Sequence, residues 1–398
     1  MGSREVDSAW KQREPRFSGR TAWDVGEGAL TAAVREARAA GRTLVDLTVS
    51  NPTVCGFAFD GERILGALAH PAAMTYDPDP RGRLSAREAV AGYYAGHRAG
   101  VDPGQLVLTT STSEAYSFLF RLLCDAGDEV LVAQPSYPLF DFLAELEDVR
   151  LRSYPLFHDF GWWIDFAELE RRIGPRTRAI LLVHPNNPTG HSTGRGERER
   201  LEAICVRHGL ALVVDEVFLD YSLGEPIESF AHGPHPALTF VLSGMSKIAA
   251  LPQMKVGWLV CFGPEGVKGE ALARLEVIAD TFLSLNAPAQ LALPVWLKGR
   301  EEIARQILVR VRANLGAALR LGVEVLPVEA GWSGVVRLSR PVEQIERLVA
   351  EAGVVVHPGS FYGIAGANRV VVSLIGPEGE FARGMERLMD WCESKRLT

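Results

Sequence analysis

Cysteine is scarce here and unpatterned: five residues among 398, at Cys55, Cys124, Cys205, Cys261 and Cys392, with no C-x-x-C pair. That spacing argues against a disulfide framework and against a thiolate zinc site. It leaves most of these cysteines as small buried hydrophobes in a reducing compartment. Long apolar runs are missing as well. The longest, such as Leu210 to Val214, are of strand length, far below the roughly 18 residues a membrane span needs. No basic tract stands out against a formal charge of -7, which speaks against a nucleic-acid partner. No G-x-G-x-x-G turn follows a strand and no P-loop occurs, so a generic nucleotide-binding domain has no support. Internal repeats and low-complexity tracts are absent. The N-terminal stretch MGSREVDSAWKQREPRFSGR carries charge without an apolar core, unlike a secretory signal. The expectation is a soluble, cytoplasmic protein with a loose N-terminal arm.

What is present is a β–α alternation. Leu106 to Thr109, Glu129 to Val132, Arg178 to Val183, Leu210 to Asp215, Thr239 to Leu242 and Gly257 to Cys261 read as strands. Helical patterns fall between them, at Thr112 to Cys124 and Arg198 to His208. Continuous rather than alternating apolar runs predict strands covered on both faces, hence a mostly parallel, doubly wound sheet. The last hundred residues differ. A helix is expected from Glu301 to Leu321. Short strands follow near Val323, Val335, Val354 and Arg369, with helices at Val342 to Glu351 and Glu378 to Ser394. This predicts a smaller α+β domain, with a boundary near residue 290 at the Asn286-Ala287-Pro288 turn signal. The expected division is an arm and part of the small domain over 1–45, a large domain over 46–290 and a small domain over 291–398.

Three segments carry chemistry. Ser243-Gly244-Met245-Ser246-Lys247 places a lysine among small residues just past a strand, where a cofactor can approach the backbone. Lysine is the amine that forms Schiff bases with aldehydes, although a lone lysine is more often a surface residue. In Leu212-Val213-Val214-Asp215 an acid ends a run that otherwise reads as core. Such a carboxylate either caps the next turn or pairs with a protonated pyridine nitrogen. His184-Pro185-Asn186-Asn187-Pro188-Thr189-Gly190 is either a plain turn or a loop that offers an asparagine amide to a phenolate oxygen. All three lie past strand C-terminal ends, the edge where open α/β sheets bind ligands.

From about residue 44 to 390 the chain resembles the class I/II aminotransferases, pyridoxal-phosphate enzymes of fold type I. The resemblance implies a three-layer α/β/α large domain with a mostly parallel seven-stranded sheet, and a small α+β domain built from both chain ends. It implies pyridoxal 5'-phosphate as cofactor, amino acids and 2-oxo acids as substrates, and a homodimer with shared active sites. It makes Lys247 the Schiff-base lysine, Asp215 the partner of the pyridine nitrogen and Asn187 that of the ring oxygen. Ser111, Thr112 and Ser113 resemble the phosphate cradle at a helix start, where free N–H groups favour an anion; simple helix capping is the plainer alternative. Tyr137 resembles the aromatic that stacks on the ring, and Tyr76 the tyrosine that reaches the partner subunit's phosphate. Lys255 falls on a phosphate-contacting position, and Ser246 is counted among the cofactor-binding residues. Arg369 resembles the arginine that grips the substrate α-carboxylate. Asn51, in Ser50-Asn51-Pro52 after an expected strand from Thr43 to Val49, belongs to the segment whose backbone touches that same group.

The pattern departs at four places. Lys255 stands where arginine is frequent, which loses the bidentate fork. Gly244 stands where a serine is usual, with Ser243 or Ser246 as substitutes. Phe218 replaces a tyrosine that would give the ring oxygen a second hydrogen bond. Ser111 replaces a glycine. These put substrate transfer from aspartate aminotransferases in doubt. Elimination, decarboxylation or cyclisation by the same residues remains an alternative to transamination. A non-catalytic sensor domain is disfavoured, because the segment before Val45 shows no helix-turn-helix pattern. Phe57, Trp332 and Tyr362 are candidates for the substrate pocket, with Arg81 and Arg83 near Tyr76. A small or apolar amino acid, alanine first, is the expected substrate.

Overall fold

The computed structural model describes residues 16–342 and 344–394, so the first part of the expected arm lies outside the described residues. A helix over Ala29–Ala39 leads into β1 (Val45–Asp46). The strand expected from Thr43 to Val49 shrinks to these two residues. The Asp46 carboxylate accepts from Thr48 N at 2.9 Å and Thr48 Oγ1 at 2.6 Å, and this Asx-type turn diverts the chain out of pairing.

The large sheet comprises β2 (Leu106–Thr109), β3 (Glu129–Gln134), β4 (Arg150–His158), β5 (Trp162–Ile164), β6 (Thr177–Val183), β7 (Ala211–Asp215), β8 (Thr239–Gly244) and β9 (Gly257–Phe262). Their order is β2-β9-β8-β7-β6-β3-β4-β5. β4, β3, β6, β7 and β8 pair in parallel, while β9 runs antiparallel to both neighbours. The expected seven strands are therefore present. An eighth, β5, returns on β4 as a short antiparallel edge. Alternate side chains of β6 show why the sheet is doubly wound. Ile180 and Leu182 enter a core with Leu201 and Ile204 of the helix Arg195–His208. Ala179, Leu181 and Val183 enter another with Leu119 of the helix Thr112–Leu123 and Leu275 of the helix Glu265–Phe282. Gly209 makes the short return into β7 possible. At φ 65° it caps the preceding helix, donating its N–H to Cys205 O.

The second unit holds β10 (Glu324–Val325), β11 (Ser333–Arg337), β12 (Val354–Val355), β13 (His357–Pro358) and β14 (Arg369–Ser373). An antiparallel sheet runs β10-β11-β14-β13, and β12 pairs in parallel with β1, so the two halves of the chain meet there. The helix Ala29–Ala39 closes over this pair, packing Ala37 against Val349 and Val355. The helix Ala287–Lys298 gives Leu293 and Trp296 to the large core, whereas the helix Arg300–Arg320 gives Ile307 and Val311 to the small one. The crossing is thus at Gly299. The turn signal at Asn286 is a helix cap, its carboxamide oxygen accepting from Ala289 N at 2.9 Å.

Candidate active site

β6, β7 and β8 are adjacent and parallel, so their C-terminal ends share one edge. The loop carrying Asn187, the acid Asp215 and the turn carrying Lys247 all leave from it. β8 ends at Gly244, and a one-turn helix, Met245–Ile248, presents the lysine. A Cβ on Gly244 would lie 2.9 Å from Val256 O and 3.1 Å from Gly257 Cα, so a side chain there would collide with neighbouring backbone. This accounts for the absent serine. Of its two candidate substitutes, Ser243 is fully buried with an unpartnered hydroxyl, and Ser246 is partly exposed on the turn.

Tyr221 pins the lysine backbone, its hydroxyl donating to Lys247 O at 2.6 Å. The Lys247 amine sits 4.8 Å from the Trp332 ring centroid and 5.7 Å from that of Phe218. Burial pushes this amine down to about 8, against the attraction of Asp215. Asp215 is itself buried. Burial pushes its carboxyl up to about 6; hydrogen bonds from Val217 N (3.0 Å) and Tyr116 Oη (2.8 Å) and the charge of Lys247 work the other way. Each group of the pair is therefore closer to neutrality than in water, as a site for proton handling requires.

The two asparagines of the loop divide its work. Asn186 holds the architecture: its amide donates to Pro135 O at 3.3 Å, and its oxygen accepts from Thr189 N at 3.3 Å and Thr189 Oγ1 at 2.8 Å. The Asn187 amide is partly exposed and none of the recorded hydrogen bonds uses it. At the head of the helix Thr112–Leu123, Ser111 acts as a cap, accepting from Glu114 N at 3.2 Å. The Glu114 carboxylate accepts from Thr110 N at 2.7 Å and from Ser284 Oγ at 2.8 Å. The side chains of Thr112 and Ser113 stay free of such bonds, at a helix start that favours an anion. β9 presses on this turn: a Cβ at Gly257 would meet Ser111 C at 2.7 Å and Thr112 N at 2.9 Å. We expect Gly257→Ala to cost about 1–3 kcal/mol of stability through overpacking. It should also weaken phosphate retention, checked by thermal unfolding and cofactor titration.

The structure does not gather every expected residue. Tyr137 is 43 % exposed and meets Phe140 edge-on at 6.1 Å. Lys255 is exposed at φ 53°. Tyr76 is 82 % exposed beside an equally bare Met74, pointing away from its own chain. The Asn51 side-chain oxygen accepts from Thr53 N at 3.1 Å and Thr53 Oγ1 at 2.8 Å, bonds that do not involve the backbone contact expected of this segment. Arg369 opens β14, its guanidinium turns back to Ala365 O, and it lines a groove with His158, Trp162 and Arg172. Among the pocket candidates, Trp332 lies against Lys247, Phe57 stacks under Arg310 and Tyr362 bonds His357. Arg81 and Arg83 are paired with Glu276 and Asp77. Two residues unforeseen from sequence, Tyr116 and Tyr221, hold the acid and the lysine turn.

The lysine shift has a direct consequence. In cofactor-free protein we expect carbonyl reagents to modify Lys247 with a rate that rises through a midpoint near pH 8, well below ordinary lysines. Peptide mapping of trapped adducts across pH checks this. The sign for stability follows from the same shift. Between about pH 8 and 10.5 the unfolded chain binds more protons at this lysine, so its contribution to stability rises with pH in that window.

Comparison with known proteins agrees with this geometry. Residues 62–388 match the family model described as aminotransferase class I and II. The chain is 29 % identical over 271 residues to the glutamate-pyruvate aminotransferase AlaA of Escherichia coli, covering 67 % of this chain and 66 % of that protein. It is 30 % identical over 279 residues to an alanine aminotransferase of Mycobacterium tuberculosis, covering 68 % and 64 %. The match thus spans just under two thirds of the length of these relatives. An alanine aminotransferase structure from Pyrococcus furiosus superposes with a TM-score of 0.86 at 22 % identity, covering 96 % of this chain and all of that one, and so shares the fold. Since the family model takes in most of its length, the chain belongs to the class I and II aminotransferases.

Proposed function

We propose that the protein is a pyridoxal-phosphate-dependent aminotransferase acting between an α-amino acid and a 2-oxo acid. The observation that carries this is the amine of Lys247, depressed to about 8 and flanked by aromatic rings, beside the buried acid Asp215 on the adjacent strand end. The residues present fit the cofactor: an amine outside any ion pair, a free Asn187 amide, and a helix start with uncommitted hydroxyls at Thr112 and Ser113. When bound, pyridoxal phosphate supplies an aldehyde that captures amines and a pyridine ring that accepts the electron pair released at the amino acid Cα.

Lys247 would supply the neutral amine that anchors the cofactor and, as a base, would take the proton at the substrate Cα. Such positioned proton transfer typically contributes about 10²–10⁴-fold. Asp215, aimed by Tyr116, would keep the ring nitrogen protonated. Asn187 would donate to the ring oxygen, without a second donor because Phe218 has no hydroxyl. Thr112, Ser113 and Ser246 would hold the phosphate, with Lys255 supplying charge, and Tyr137 would cover the ring. The exposure of Tyr76 supports a homodimer with shared sites, in which this tyrosine would reach a second copy of the chain. A cytoplasmic location fits cysteines that are few and unpatterned in the sequence.

Arg81 and Arg83 are already paired with acids, so a small or apolar amino acid is the favoured substrate, alanine first. The names of the relatives point the same way. The test is an amino acid panel on the loaded enzyme, followed by bound-cofactor absorbance and product analysis. The expected result is loss of the absorbance band with alanine and formation of 2-oxo acid plus a new amino acid. Ammonia, carbon dioxide or thiol released without an acceptor would replace this reading with a lyase.

A further inference from the structure

We propose that the groove between the β4–β5 hairpin and the head of β14 is a binding site for an organic carboxylate, separate from the Lys247 site. The groove encloses about 480 Å³, within the range of small-molecule sites. Four of its side chains bring nitrogen atoms that are shut off from solvent and lack any hydrogen-bond partner: His158 Nε2, Trp162 Nε1, Arg172 Nε and Arg369 Nε. Trp162 is about nine-tenths buried, so its indole N–H has nowhere else to turn. A buried donor without an acceptor is expensive, and the N–H groups of Trp162, Arg172 and Arg369 put three of them around one space.

The charge balance points the same way. No aspartate or glutamate lines the groove, while two guanidiniums do. Glu168 pairs with Arg172 Nη2 at 3.7 Å from outside the lining. Burial and the cations Arg337 and Arg369 hold the His158 ring below its usual range against Asp159, leaving the guanidiniums as the charged groups. Guanidinium forks match carboxylates bidentately. The remaining walls, among them Leu156, Phe157 and Ile364, are apolar, so the ligand should carry a hydrophobic body. The two sides belong to different units, β4–β5 to the large sheet and β14 to the small one, so an occupant would bridge them.

The probe is benzoate, with benzamide as its uncharged near-isostere and inorganic phosphate as an anion without an apolar body. Binding is measured by titration calorimetry on the cofactor-loaded full chain. We expect benzoate to bind at least tenfold more tightly than benzamide or phosphate. Trp162→Phe and Arg172→Gln should each weaken benzoate at least fivefold. Arg172→Lys, which keeps the charge and loses the fork, tests the geometry should the glutamine variant fold poorly. None of these three should alter the response of the cofactor absorbance to alanine. Benzoate affinity unmoved by all three variants would overturn the proposal. So would benzoate competing with alanine at Lys247, or Arg369→Gln abolishing the alanine response while benzoate still binds.

Discussion

Lys247→Ala should lose the visible absorbance of the bound cofactor and fall in turnover by about 10⁴-fold or more. The magnitude follows from two losses at one position. The covalent anchor disappears, and so does the base at the substrate Cα. No neighbour replaces it: the Trp332 and Phe218 rings beside the amine cannot accept a proton, and Asp215 is the acid assigned to the ring nitrogen. The substitution also removes a desolvated cation, so folding should be unharmed, and unfolding experiments separate a chemical loss from a structural one. Lys247→Arg keeps the charge without a titratable amine near pH 8 and should be as inactive as alanine. Retained turnover in either variant would refute the role given to the lysine.

Asp215→Asn should lower kcat/KM roughly 10²–10³-fold, the equivalent of losing one partner of a buried charge pair at about 3–5 kcal/mol. An amide at the end of β7 fills the same space but cannot hold a proton on the ring nitrogen. It also leaves Lys247 without its opposing charge, so the lysine should fall below about 8. Tyr116→Phe separates the two functions of this position. It deletes the 2.8 Å bond to Asp215 and keeps the carboxylate, so the cost should be about 1 kcal/mol, or roughly fivefold. Because that bond lowers Asp215, its removal should shift the acid limb of the pH profile upward. A profile unchanged in Tyr116→Phe would mean that the tyrosine is only packing.

The site was legible where chemistry coincides with a strand end. Asn187, Asp215 and Lys247 each follow a continuous apolar run, and the run itself announces the edge on which they meet. The cradle was ambiguous for a physical reason: the hydroxyl that could cap a helix could also meet a phosphate, and Ser111 proves to cap. What could not be read is tertiary. Tyr116 lies 99 positions from the acid it serves, and nothing in a helix pattern names that partner. Arg369 opens a strand, and the turn before it draws its guanidinium to Ala365. In the fold, β4 escaped notice because its outer half alternates exposed and buried residues, Arg150 and Arg152 facing water, unlike the continuous core strands. The turn signal at Asn286 belongs to a helix cap, which uses the same residues as a linker.

The pairing of β1 with β12 sets an order of events during synthesis. Val45 leaves the ribosome with no partner, and Val354 follows about 300 residues later, roughly 15–60 s at ordinary elongation rates. Meanwhile the large sheet, whose strands all lie between 106 and 262, can complete itself. The helix at 29–39 must wait, its apolar face bare, until the closing stretch arrives. The nascent chain therefore carries an unfinished clasp while residues 46–353 are made, and the β12 segment shuts it on emerging.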